Sequence, residues 1–143
     1  MGFALPAAIG AKLGAPHREV VAVIGDGGFQ MTMQELGTLR QAKVPVKIII
    51  LNNNFLGMVR QWQELFFEKR YSFTEMNNPD FGMIAGAYGF QTEKITRRNE
   101  LGDALRRMLD CNESFLLEVV VEKEENVFPM VPTGASVSEM MLK

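Results

Sequence analysis

Three short, nearly continuous apolar runs rich in β-branched residues, 19–24, 46–51 and 114–121, alternate along the chain with segments whose apolar residues recur at three- and four-residue steps. A run without a polar face reads as a strand covered on both sides, and such strands belong to parallel sheets flanked by helices. The helical pattern occupies 6–13, with Pro6 in the first turn and Gly14 and Pro16 closing it, and 29–43, with Met33, Leu36 and Leu39 on one face. It returns at 58–69 through Met58, Val59, Trp62, Leu65 and Phe66, at 81–88 up to Gly89, and at 99–109 behind a cap at Asn99. Residues 91–95 add a short strand. The expected fold is α/β: a parallel sheet with right-handed crossovers and helices on both faces. Residues 1–143 form one domain in this reading, with 122–143, containing Pro129 and Pro132, as an irregular tail.

Composition removes several functions. With 15 Lys+Arg against 17 Asp+Glu and no basic cluster, the chain lacks the charge that neutralising several phosphates of a nucleic acid requires. The longest apolar run, 44–51, is interrupted by Lys47 and falls far short of the roughly 20 residues of a membrane span. The apolar opening has no basic leader, so no signal peptide is expected. The single Cys111 rules out a disulfide within the chain and suits a reducing, cytoplasmic location. At 143 residues a core can form without a structural metal.

Two loops carry the chemistry. Gly25-Asp26-Gly27-Gly28 follows the first run and Asn52-Asn53-Asn54 the second, at strand carboxyl ends, where open α/β sheets bind ligands. A glycine turn between strand and helix suggests a phosphate site. A dinucleotide reading falters, because the third glycine would fall on Gln30 and Asp26 lies where a pyrophosphate would come close. A divalent cation relieves that repulsion, which makes Asp26 a candidate magnesium ligand. If the first two strands are adjacent and parallel, Asn53 emerges beside it and offers an amide oxygen. The plainer alternative is that Asp-Gly and Asn-rich loops serve only as turns and caps.

Gly25-Asp26-Gly27, then 24 residues (28 to 51), then Asn52-Asn53, resembles the signature of thiamine diphosphate enzymes. The stretch from Met1 to Ala11 is similar to a segment of their diphosphate-binding domain. Leu56-Gly57-Met58-Val59-Arg60-Gln61-Trp62 and the stretch from Val127 to Ala135 resemble the acetolactate synthase group more particularly. The resemblance implies the thiamine diphosphate-binding fold, clipped at its N-terminal side. It implies that Asp26, the Asn53 side chain and the Phe55 carbonyl hold Mg2+, and that amides around Gly27, Gly28, Gly57 and Met58 receive the diphosphate. Met1 matches the bulky residue against which the cofactor bends; an initiator methionine is the other reading. Trp62 matches a position at the mouth of the active site that helps select the second 2-keto acid, with Met58 and Val59 on the same wall; by spacing it suits a core tryptophan equally.

The implied reaction is decarboxylative condensation of pyruvate with a second 2-keto acid, a transferase step of branched-chain amino acid biosynthesis. The activating glutamate is expected on a pyrimidine-binding domain of the same or another subunit, so no catalytic residue is assigned on this chain and it is expected to be inactive alone. FAD through a further domain, a regulatory subunit and a homo-oligomer are also implied. An open sheet edge should make an isolated monomer behave poorly. Pyruvate oxidase or carboligase types and a non-catalytic binding module remain as alternatives. His17 has no assigned role, Cys111 reads as a structural thiol, and 122–125 as a solvated charged surface.

Overall fold

The computed structural model describes residues 1–142. Strands β1 (Val21–Gly25), β2 (Lys47–Asn52), β3 (Gln91–Ile95) and β4 (Phe115–Val120) form a four-stranded, fully parallel sheet in the order β1-β2-β4-β3. Helices α1 (Ala4–Gly14), α2 (Asp26–Gln30), α3 (Glu35–Ala42), α4 (Gly57–Phe66), α5 (Phe81–Ala87) and α6 (Leu101–Asp110) connect and cover it.

Side chains alternate across each strand, so the apolar runs supply two cores. On one face Ala22, Ile24, Ile48, Ile50 and Leu116 pack with Leu5 and Ile9 of α1, Leu36 and Leu39 of α3, and Phe81 of α5. On the other, Ile95, Phe115 and Leu117 meet Ala104 and Met108 of α6. Helices therefore lie on both faces, as the alternation predicts. Cover on the α6 side stops short of the sheet's edge: Val21 and Val23 of the edge strand β1 are 41% and 58% exposed.

Lys47 does not break β2. It is buried, and its ammonium donates to the carbonyls of Cys111 and Glu113 at the entry to β4. Its charge is thus matched by backbone oxygens rather than exposed to an apolar core.

Three local expectations change. The helix expected over 29–43 is two, because 31–34 winds with i to i+3 bonds (Thr32 N–H to Phe29 O at 3.1 Å, Glu35 N–H to Thr32 O at 3.0 Å), which rotates α3 relative to α2. The glycine turn is already helical: Asp26, Gly27 and Gly28 form the start of α2. Gly27 is closely packed: a Cβ there would stand 2.6 Å from Leu56 Cδ2, and that side chain would have to shift. Asn99 does not cap α6 but sits in a 3-10 turn, Arg98–Glu100, where Glu100 Oε2 accepts from Arg97 N–H at 3.1 Å. By contrast, Gly89 follows α5 with φ +82°, as expected, and Asp80 caps that helix through Met83 N–H at 2.8 Å.

No helix among the described residues is long and apolar enough to cross a membrane.

Candidate functional site

In the parallel register Gly25 faces Leu51, so the loops after β1 and β2 leave the sheet side by side. Beyond them opens a cleft of about 450 Å³. It brings together Met1, Asp26, Gly27 and Gly28 with Asn53, Phe55 and Gly57, the first and last of which lie 56 positions apart in the sequence.

Asp26 is only 1% exposed. Its Oδ2 accepts from Asn54 N–H at 2.9 Å and from Asn78 Nδ2 at 2.7 Å. The other oxygen takes no hydrogen bond among the described residues and is not a sealed orphan, so it is the one the cleft can reach. The three asparagines divide their work. Asn52 turns inward and donates to Glu118 Oε1 at 2.7 Å; Glu118, 2% exposed, also meets Lys94 Nζ at 2.8 Å. Asn54 takes the left-handed conformation, φ +56°, that Asn tolerates, and turns the chain back toward Asp26. Asn53 lines the cleft, its Oδ1 accepting from Phe55 N–H at 3.1 Å.

The donor set suits a hard cation: a carboxylate oxygen, an amide oxygen and the Phe55 carbonyl, with no three His, Cys, Asp or Glu side chains gathered elsewhere among the described residues. One protein carboxylate plus phosphate oxygens is the usual complement of Mg2+. Helices α2 and α4 both begin at the cleft, without side-chain caps, so first-turn amides at Gly27, Gly28, Gly57 and Met58 are available to an anion.

The opposite wall comes from the tail. Gln61, 1% exposed, exchanges two hydrogen bonds with the backbone of Val127, accepting from its N–H at 2.8 Å and donating to its carbonyl at 3.0 Å. Arg60 lies over the rings of Phe55 and Tyr71 and pairs with Glu64 at 3.0 Å and Glu124 at 3.4 Å. Burial opposes charge on Glu64, but hydrogen bonds from Tyr71 and Asn126 and the nearby Arg60 outweigh it and hold its carboxyl below the usual range. Residues 122–125 are exposed, yet more than a solvated surface: Glu124 is paired, and Glu122 and Glu125 line the cleft.

Three expected site residues lie elsewhere. Val59 and Trp62 line a separate hollow with Gln63, Phe67 and Arg70, and the Met58 side chain, 46% exposed, lines neither opening. Trp62 is half-buried, packs on Phe66 with ring centroids 5.0 Å apart, and belongs to neither core, which removes the core alternative. His17 is exposed, and Cys111 is a free, half-buried thiol. Sequence reasoning missed Asn78, Glu118 and Gln61. A carboxylate inside the apolar run of β4 was the available signal for Glu118; Asn78, in Asn77-Asn78-Pro79-Asp80, carries no signal beyond that of a turn.

Residues 1–119 match the family described as "Thiamine pyrophosphate enzyme, C-terminal TPP binding domain". The chain is 51% identical to the acetolactate synthase isozyme 2 large subunit of Escherichia coli (strain K12), a match covering 100% of the chain and 26% of that protein. It is 46% identical to the mitochondrial acetolactate synthase of Schizosaccharomyces pombe (strain 972 / ATCC 24843), covering 99% and 21%. The chain thus spans about a quarter or less of the length of these relatives. Among solved structures, a thiamine diphosphate-dependent 4-hydroxybenzoylformate decarboxylase of Rhodococcus jostii RHA1 superposes with TM-score 0.81 at 32% identity, over 88% of the chain and 24% of that protein. The sheet, the paired loops and the match over most of its length together place the chain in the thiamine pyrophosphate enzyme family, as its C-terminal TPP-binding domain.

Proposed function

We propose that this chain supplies the magnesium and diphosphate site of an acetolactate synthase, which condenses pyruvate with a second 2-keto acid for branched-chain amino acid synthesis. The observation that carries the reading is the convergence of Asp26, Asn53 and Phe55 with the starts of α2 and α4 in one cleft, in a chain whose curated relatives are acetolactate synthases. Asp26, the Asn53 amide and the Phe55 carbonyl would hold Mg2+. Amides at Gly27, Gly28, Gly57 and Met58 would take the diphosphate oxygens. Thiamine diphosphate, when bound, supplies the carbanion-stabilising chemistry of 2-keto acid decarboxylation, and the protein binds and orients it.

Met1, 75% exposed at the cleft, would support the bound cofactor from the side. Met58, Val59 and Trp62 offer an apolar wall to the second keto acid. The activating glutamate, any FAD and any regulatory subunit belong to other domains or chains. A homo-oligomer in the cytoplasm, closing over the open β1 edge, completes this reading, and the isolated chain is inactive in it.

Calorimetric titration with thiamine diphosphate and Mg2+ tests the site. Wild type should bind the cofactor only with a divalent metal, and Asp26→Ala should abolish that dependence together with binding; equal, metal-independent binding in both would sink the assignment. Product analysis from pyruvate, on the protein as the cell makes it, tests the activity. Acetolactate is expected. Exclusive aldehyde would favour a simple 2-keto acid decarboxylase, the reading that the structural relative supports, and exclusive acetyl phosphate an oxidase type.

A further inference from the structure

Asn78 reaches the carboxylate of Asp26 from outside the cleft, and both of its ends are held. Upstream, Leu56 N–H donates to Thr74 O and Met76 N–H to Asn54 O, each at 2.8 Å, binding 74–76 against the loop after β2. Downstream, Asp80 caps α5 and the fully buried Phe81 meets Phe29 edge-on at 5.5 Å. The side chain between these anchors has one possible orientation. Gln30 Nε2 donates to its Oδ1 at 2.7 Å, which leaves its NH2 group facing Asp26 Oδ2 at 2.7 Å, Asn52 Oδ1 at 2.9 Å and Asn54 Oδ1 at 3.1 Å. A flipped amide would set oxygen against three oxygens.

Two donors, Asn78 Nδ2 and Asn54 N–H, converge on the same oxygen of Asp26. A carboxylate pinned through Oδ2 presents only Oδ1 to a cation. One-oxygen ligation fits the near-ideal octahedron of Mg2+, whereas Ca2+ accepts larger, irregular shells and often takes both carboxylate oxygens. We propose that Asn78, oriented by Gln30, is a positioning residue that makes Asp26 a one-oxygen ligand and so biases the site toward Mg2+ over Ca2+. This rests on the magnesium reading of Asp26 given above.

The test is the affinity for Mg2+ and for Ca2+, each titrated calorimetrically at saturating thiamine diphosphate, in the protein as the cell makes it. Asn78→Ala should weaken Mg2+ by about 10- to 100-fold, the usual effect of removing a partner of a metal ligand. Ca2+ should change much less, so the ratio of the two affinities falls about tenfold or more. Asn78→Asp, which sets an oxygen against Asp26, should lower the ratio at least as far. A purely structural role would lower thermal stability while leaving the ratio as in wild type, and that result would overturn the proposal. If Asn78→Ala does not fold, Asn78→Asp decides: it is nearly isosteric and removes the donor, and an unchanged ratio there is equally fatal. If Asp26→Ala binds Mg2+ as wild type does, the magnesium reading itself fails and takes the proposal with it; with Asp26 required and the ratio unmoved, only the role of Asn78 falls.

Discussion

Helices α4 and α6 each have ten residues and a clear apolar stripe, and they face opposite ways. Helix α6 seats Ala104 and Met108 against β3 and β4 and leaves Asp103 and Arg106 paired outside at 2.9 Å. Helix α4 buries Arg60 and Gln61 and turns Met58, Val59 and Phe66 outward. The difference lies in where each helix finds its partners. Every polar group that α4 buries is answered within the chain: Gln61 by the Val127 backbone, and Arg60 by Glu64, Glu124 and two aromatic rings. An apolar stripe records that a helix face will be covered; it does not record by what. In α6 the cover is the chain's own sheet, and in α4, on the function proposed above, it is the second keto acid.

The contrast is sharpest in stability. Met108→Ala should destabilise the fold by about 2–5 kcal/mol in denaturant unfolding, the usual result of truncating a fully buried side chain. Gln61→Leu should come next, at about 1–3 kcal/mol, because it strands the Val127 N–H and carbonyl, and limited proteolysis should then cut the tail after 122 faster. Trp62→Ala should change stability by about 1 kcal/mol or less and, on the function proposed above, alter the partition between second keto acids. A loss as large as that of Met108→Ala would break the comparison by making α4 a second core helix.

The smallest effect concerns pH. Glu64 has its carboxyl lowered in the folded chain, although burial pulls the other way, by hydrogen bonds from Tyr71 and Asn126 and by Arg60. A lowered folded value means that the stabilisation is present above the unfolded value and lost as pH falls through the folded one. Acid unfolding curves of wild type and Glu64→Gln should therefore differ in neutral buffer and converge in the acid range below ordinary carboxylate values. Curves that stay parallel into that range would remove Glu64 from the set of groups holding α4 to the tail.

Much of the scaffold was legible because its signals are local. The β-branched runs located β1, β2 and β4 to within a residue or two, because a continuous apolar run marks a strand by its own side chains, although only one face of β1 is covered within the chain. Asp26 and Asn53 stood out because strand ends carry an α/β site. Errors arose where local signals misled. Gly27 and Gly28 read as a turn yet open α2, with Gly27 packed against Leu56, and the apolar spacing of α4 left open a core position that Trp62 does not take.

The sequence by itself determined the parallel α/β class, the two loops and the chemical types of the side chains they carry, because each depends on residues within a few positions of one another. Tertiary structure decided the insertion of β4 between β2 and β3, the outward turn of α4, and the partners of the buried polar groups. Asn78 meets Asp26 across 52 positions, and Asn52 meets Glu118, like Gln61 and Val127, across 66. A hydrogen bond at such separation leaves no periodicity to read; it exists only once the sheet has set its strands side by side and burial has made an unpaired polar group too costly to leave.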